Sequence, residues 1–320
     1  MPNHSELVIW ILSDGRRGHV NQSIALGAAL GDHAKTQCHT IKVRGTLQNL
    51  ISLAKGSYSE GKKLPLPDLI IAAGHKTHWA ALSARRCYGG KIILIMRPTL
   101  PANLFDLVLL PSHDRRITLG NTILFEGALS RVTPYPHHEC KTPQCLIVIG
   151  GPSKHHQFDD QDLISAVNII CESSKHSKII ITNSPRTPSL ITRKIETLFG
   201  DTFAPWVSFE QGAIQATMLK STEIWVTEDS ASMIYDALGT GSPVGIIPVI
   251  RKRESRLSKL IDSIFDRKFA TPYKHWRETG LLNPSPMLSE SKRCASLVVK
   301  ALFQKTAKPD NNLHREFKKN

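Results

Sequence analysis

Short apolar runs alternate with helix-length stretches along almost the whole chain, and no other feature limits the fold so strongly. The runs fall at residues 7–12, 38–43, 69–73, 92–96, 107–110 and 122–125, and again at 145–149, 178–182, 206–209, 224–226 and 244–247. Strands spaced by crossover helices in this way favour parallel sheets covered on both faces. Between the two sets lies a segment rich in Pro and His (Pro134, Pro136, His137, His138, Pro143), the composition of a linker. The expected architecture is therefore α/β, with two Rossmann-like domains facing across a cleft. Its parts are an N-terminal domain over 1–133, a linker over 134–144, and a second domain over 145–304 that ends in a closing helix at 292–303. A polar, basic tail at 305–320 has little to bury and is expected to be disordered. A chain of 320 residues gives both domains an ordinary size.

No apolar run approaches the roughly 18–20 residues needed to cross a bilayer. The run at 7–12 has no basic flank and no small-residue cleavage site, so it reads as a first strand and not as a signal peptide. Six cysteines, at 38, 87, 140, 145, 171 and 294, show neither metal nor disulfide spacing. That fits reduced thiols in a cytoplasmic protein and argues against zinc. The formal charge of +14 favours anionic partners, and the cations gather at 251–256 and in the tail. No helix-turn-helix spacing, RNP-like aromatic strand or zinc finger accompanies them, so nucleic acid is not expected. A phosphorylated ligand or an anionic membrane face suits the charge better.

In open α/β sheets, ligands bind beyond the carboxyl ends of the strands. The first such loop, in SDGRRGHVNQ, has Gly15 and Gly18 for a tight turn, Asn21 to cap the next helix, and His19 at its tip. An imidazole there suits proton abstraction near neutral pH, although a lone loop histidine is more often simply solvated. Arg16 and Arg17 beside it suit anionic groups. His75 and Lys76 follow the third run, Arg97 the fourth, and Ser112-His113-Asp114 the fifth. All would line one edge, as the residues of any strand-end loop do. His75 and His78 have too few partners for a metal site.

In the second half, Gly150-Gly151 directly follows a run and lets the backbone come close to a ligand, with Ser153 and Lys154 within reach of phosphate. Asp160-Gln161-Asp162 has the form of a metal-binding DxD. Carboxylates at a helix start complement the dipole, however, and the structural reading is preferred. Arg186, in TNSPRTP, suits diphosphate charge. The stretch IWVTEDSASMIYDALGTGSPVGIIPV reads as a strand, a polar turn at 228–230, a helix over 231–238 capped by Ser230, a stop at Gly239, Gly241 and Pro243, and a second strand. Backbone N–H groups of its 229–233 turn can approach an anion. Asp236, beside Ser232 on the helix, can accept from vicinal hydroxyls, so phosphate plus ribose suits the pair. A plain βαβ unit shows the same pattern, and the residues alone leave both readings open.

Together with the preceding VSFEQGAIQATMLKSTE, this stretch resembles the nucleotide-binding region of GT-B glycosyltransferases, in particular the lipid-linked N-acetylglucosaminyltransferase of peptidoglycan synthesis. Phe209, the Ser230 turn, Asp236 and Gly241-Ser242-Pro243 fall in that enzyme's order. Asp236 stands where the enzyme has a ribose-binding glutamate, and the Gln pair that often follows is missing after Val249. DGRRGHVNQ is similar to its glycine-rich GGH loop, with His19 in the histidine's place. SDGRRGHVNQ, GHKTHWAALSARR, IMRPTLP, GGPSKHH, TNSPRTP and WVTEDSASMIYDAL resemble one family still more closely, over nearly the whole chain. It is the bacterial branch of the mitochondrial-fission "elongated mitochondria" proteins, whose plant members are linked to organelle fission.

The resemblance implies an inverting, metal-independent glycosyltransferase that needs no cofactor. It would move a sugar from a nucleoside diphosphate sugar to a hydroxyl acceptor, such as a lipid-linked cell-envelope precursor. The nucleotide sugar would meet Gly150, Gly151, Ser153, Arg186, Phe209, Asp229, Ser230, Ser232, Met233 and Asp236. The acceptor would meet Arg16, Arg17, His75, Lys76 and Arg97, with His19 as base. The expected location is cytoplasmic, on or near the membrane face. Two further readings fit the same family: a nucleotide-sugar epimerase acting without an acceptor, and a non-enzymatic membrane-peripheral scaffold.

Overall fold

The computed structural model describes residues 6–112, 120–132, 142–174, 178–210 and 212–303. The proline-rich segment at 134–141, the tail at 305–320, and His113 and Asp114 lie outside the described residues. The first half runs through β1 (Leu7–Ser13), α1 (Arg17–Leu30), β2 (Thr36–Lys42), α2 (Thr46–Lys55), β3 (Leu69–Ala73), α3 (His78–Tyr88), β4 (Lys91–Ile95), β5 (Leu107–Pro111) and β6 (Thr122–Phe125). These strands form a parallel sheet in the order β2-β1-β3-β4-β5-β6. The second half runs through β7 (Thr142–Val148), β8 (His156–Gln157), α4 (Asp160–Ser173), β9 (Lys178–Thr182), α5 (Ser189–Phe199), α6 (Ala213–Lys220), β10 (Ser221–Thr227) and α7 (Ala231–Leu238). It ends with β11 (Val244–Ile247), β12 (Ile250–Arg251), α8 (Arg256–Asp266), β13 (Thr271–Pro272), α9 (Tyr273–Thr279) and α10 (Glu290–Phe303). Its parallel sheet has the order β13-β11-β10-β7-β9, and β8 and β12 form a separate antiparallel ribbon. The two Rossmann-like sheets anticipated from the apolar rhythm are thus present.

Strand β3 is apolar and buried at every position, as a central strand covered by helices on both faces of a parallel sheet must be. At the edge, β2 (TQCHTIK) buries little beyond Ile41. The strand order reverses between β1 and β3 in the first sheet and between β7 and β10 in the second. Each reversal opens a crevice at the carboxyl ends of its strands. Helix α10 packs on the first sheet's core, through Cys294, Ala295, Val298 and Val299, although it follows the whole second sheet. The second half therefore lends its last helix to the first, whereas the expected second domain ran unbroken to 304.

Residues 206–209 are not a strand. Trp206–Ser208 form a 3-10 turn, and Phe203 instead bridges to Ile181. Pro205 has no N–H to give a ladder, and the Trp206 N–H is taken by Asn183 Oδ1 at 2.8 Å.

Trp225, on β10, is fully buried, edge-on to Trp276 with ring centroids 4.8 Å apart. Its ring lies against Gly245 of β11, where an added Cβ would come within 2.3 Å of it. Gly245→Ala should therefore cost about 1–3 kcal/mol of stability, read as a lower urea midpoint with unchanged slope.

Candidate functional site

The first crevice is built around Asp14 and His19. Helix α1 starts at Arg17, so His19 lies in its first turn and not at a loop tip, and Asn21 is no cap. Asp14 does the work expected of Asn21: its Oδ1 accepts the Arg16 N–H at 3.0 Å, satisfying a group at the helix entrance. Its other oxygen, Oδ2, lies 2.8 Å from His19 Nδ1. The Asp14 carboxylate is fully buried, and His19 keeps 16% of its side chain exposed. Burial pushes the Asp14 carboxyl up, but the Arg16 N–H and His19 outweigh it and hold it below its ordinary range. The carboxylate thus stays charged and fixes the ring through Nδ1, leaving Nε2 available. The ring also packs on Gly74, at the end of β3, where a Cβ would meet it at 2.5 Å and where φ is +83°. A side chain at that position would displace the imidazole and strain the backbone. The pair therefore sits in the β1/β3 crevice. Of the other expected residues, Arg16, His75, Lys76 and Arg97 are exposed at the ends of β1, β3 and β4. Arg17 opens α1, and its side chain is not among those described.

The second crevice is filled by an internal network. Asp229 is fully buried. It accepts the Gly151 N–H at 3.1 Å, the Thr227 hydroxyl at 2.6 Å and Arg186 Nη2 at 2.7 Å. Arg186 Nη1 donates to the Gly151 carbonyl at 2.9 Å. A Cβ on Gly150 would come within 2.3 Å of the Asp229 carboxylate, and one on Gly151 within 2.2 Å of the Arg186 carbonyl. The close approach that these glycines permit is therefore to the protein itself. The Asp229 side chain is engaged within this network. Ser153 is also used within its loop, where its hydroxyl accepts the N–H groups of His155 and His156. The guanidinium of Arg186 keeps 43% of its side chain exposed over this bed. His156 is buried close by, with no hydrogen-bond partner for either ring nitrogen among the described residues. Burial holds its ring below the ordinary histidine range, and Asp229 opposes this only in part.

Helix α7 occupies the expected span. Ser230 takes the N-cap position, but its side chain makes no capping bond. Ser232 is exposed, and Met233 and Phe209 are half-buried. Asp236 is half-buried and accepts the Ser130 hydroxyl at 2.6 Å and Gln215 Nε2 at 3.3 Å. Burial raises its carboxyl above the usual range, and these two bonds pull against that. Ser130 belongs to the connection after β6. Its neighbour Leu129 gives its N–H to Gln22, one turn beyond His19 on α1, at 3.4 Å. The segment after β6 thus touches both α1, through Gln22, and α7, through Asp236.

Asp160 and Asp162 lie in the first turn of α4, behind the N-cap Asp159, and Asp160 is ion-paired with Lys194. Among the described residues, no group of three His, Cys, Asp or Glu side chains could hold a metal, and no helix is long and apolar enough to cross a membrane. Sequence reasoning missed Asp14, whose signal was an acid five residues before a histidine, and Thr227, which looks like any strand residue.

A family model described as "Mitochondrial fission ELM1" matches residues 17–302. An uncharacterized Rickettsia prowazekii protein, RP120, is 25% identical over an alignment that covers 92% of this chain and 98% of its own. Among solved structures, the UDP-GlcNAc 2-epimerase from Methanocaldococcus jannaschii is 11% identical, with a TM-score of 0.57 over 92% of this chain and 99% of the other. MurG from Acinetobacter baumannii is likewise 11% identical, with a TM-score of 0.53 over 93% and 100%. At such identities the likeness establishes the fold, which is the GT-B type.

Proposed function

The chain belongs to the mitochondrial fission ELM1 family, and we propose that it is an inverting, metal-independent glycosyltransferase carrying a sugar from a nucleoside diphosphate sugar to a hydroxyl acceptor. The observation that carries this reading is the Asp14–His19 pair. A buried carboxylate that fixes Nδ1 leaves Nε2 free to take a proton from an acceptor hydroxyl at the mouth of a switch-point crevice. Such a base lowers the barrier by part of what is needed, roughly 10²–10⁴-fold, and charge stabilisation of the leaving diphosphate must supply more. On this reading Gly150, Gly151 and Asp229 form the bed that holds Arg186, whose outward N–H groups and the first turn of α7 meet the phosphates. Asp236 uses two of its acceptor positions on Ser130 and Gln215, and the remaining lone pairs would serve the ribose.

Thermal shift with UDP, GDP, CMP and their sugars tests the binding half, because a ligand that binds only the folded state raises its melting temperature. No shift with any of them would overturn the proposal. With the binding sugar nucleotide in hand, incubation without acceptor separates the chemistries: an epimerised sugar would replace transfer by epimerisation. Release of nucleoside diphosphate only after a membrane extract is added supports transfer. Asp236→Ala should weaken nucleotide binding roughly tenfold or more, since a hydrogen bond to a charged group is worth about 1.5–3 kcal/mol. The dependence of the thermal shift on nucleotide concentration reads that loss.

A further inference from the structure

Helix α2 packs Leu53 on the first sheet's core but turns a second apolar stripe outward. Its polar Asn49 is buried, with Nδ2 donating to the Arg44 carbonyl at 2.9 Å, and its backbone carbonyl accepts the Ser83 hydroxyl of α3. Leu47, Leu50 and Ile51, spaced i, i+3 and i+4 on one face, are instead 69%, 41% and 45% exposed, and Ala54 extends the stripe by a turn. A surface helix normally shows the opposite arrangement. The segment 42–63 that carries the helix also holds exposed Lys42, Lys55, Lys62 and Lys63. Its one acid, Glu60, is ion-paired with Arg44.

We propose that α2 is a membrane-docking element that lies in the headgroup layer of an anionic lipid surface, with Leu47, Leu50 and Ile51 inserted. An outward apolar stripe on a short helix, with uncompensated lysines in the same segment, is the arrangement that binds such an interface in its plane. Charge selects this occupant over a second copy of the chain: each copy carries a formal +14, and pairing two such faces would set lysines against lysines. The placement also bears on the crevice. The Val43 N–H, at the entrance to α2, donates to the Ser13 carbonyl at 2.9 Å, one residue before Asp14. Docking through α2 would hold the Asp14–His19 rim close to the lipid surface, where a membrane-resident acceptor would reach it. That last step rests on the transferase reading, whereas the docking does not.

Flotation of the full chain with vesicles tests the docking directly. The protein should float with phosphatidylcholine–phosphatidylglycerol vesicles and not with phosphatidylcholine alone. The triple variant Leu47→Ser, Leu50→Ser, Ile51→Ser should lose binding roughly tenfold or more while keeping the parent melting temperature, because it removes exposed and not core groups. The variant Lys55→Gln, Lys62→Gln, Lys63→Gln keeps the stripe and should lose most of the preference for the anionic lipid. Failure of the parent protein to float, or equal flotation of the stripe variant, would overturn the proposal. So would a dimer in size-exclusion chromatography that the stripe variant dissociates. Nucleotide binding, scored separately by thermal shift, is unaffected by either result and keeps the two proposals distinct.

Discussion

Replacing His19 by Ala is expected to lower turnover roughly 10²–10⁴-fold and to leave nucleotide affinity within about twofold, because the ring acts on the acceptor proton and not on the nucleotide. Asp14→Asn should do comparable damage by another route. The amide can donate to Nδ1, which would favour the tautomer whose Nε2 carries the proton and cannot accept another; loss of such a carboxylate can cost up to about 10⁴-fold. The two changes act on one unit, so the double variant should be hardly worse than the poorer single one. Single-turnover rates with saturating sugar nucleotide read the effect. Full activity in His19→Ala would remove the base from the mechanism. The low Asp14 pKa carries a stability consequence with a definite sign. A carboxyl held below its ordinary 3.8 stabilises the fold above that pH and ceases to do so as pH falls through its folded value. The Asp14 carboxylate is therefore charged across the neutral range.

Asp229→Ala should be the most damaging change in the second crevice. It would leave the Gly151 N–H and the Thr227 hydroxyl without their acceptor and free Arg186 Nη2. Breaking a fully buried ion pair costs about 3–5 kcal/mol, but Arg186 is 43% exposed and can turn to water, so about 2–3 kcal/mol is expected. Urea unfolding measures the loss. The thermal shift on nucleotide should also fall, since the bed holding Arg186 would be gone. A variant with parent stability and parent nucleotide response would show that the network does not shape the crevice.

Most of the fold was legible because it rests on patterns that local sequence carries. A run such as Leu69–Ala73 must be covered on both faces, and the Gly239–Pro243 stop could hardly extend a helix. Residues 206–209 misled because a short apolar run with an aromatic end fits a strand and an exposed turn equally well, and the choice fell to a side chain of Asn183. The site was legible as a set of loops and not as a set of directions. Ser153 has the chemistry of a phosphate contact, yet its hydroxyl accepts the N–H groups of His155 and His156, and Asp229 turns its carboxylate onto Gly151, Thr227 and Arg186; nothing local in the sequence says which way either side chain turns. Asp14 was passed over for the same reason: an acid in a glycine turn looks like turn chemistry until the ring five residues on is seen against it.

The return of α10 to the first sheet has a consequence for how this protein is made. Chains usually settle their earlier domain while the later one is still being synthesised. Here Cys294, Ala295, Val298 and Val299 belong to the earlier core but leave the ribosome after the entire later sheet. The first half must wait, with part of its apolar surface bare, until the second half has passed, so it should not mature as a separately expressed fragment that lacks α10.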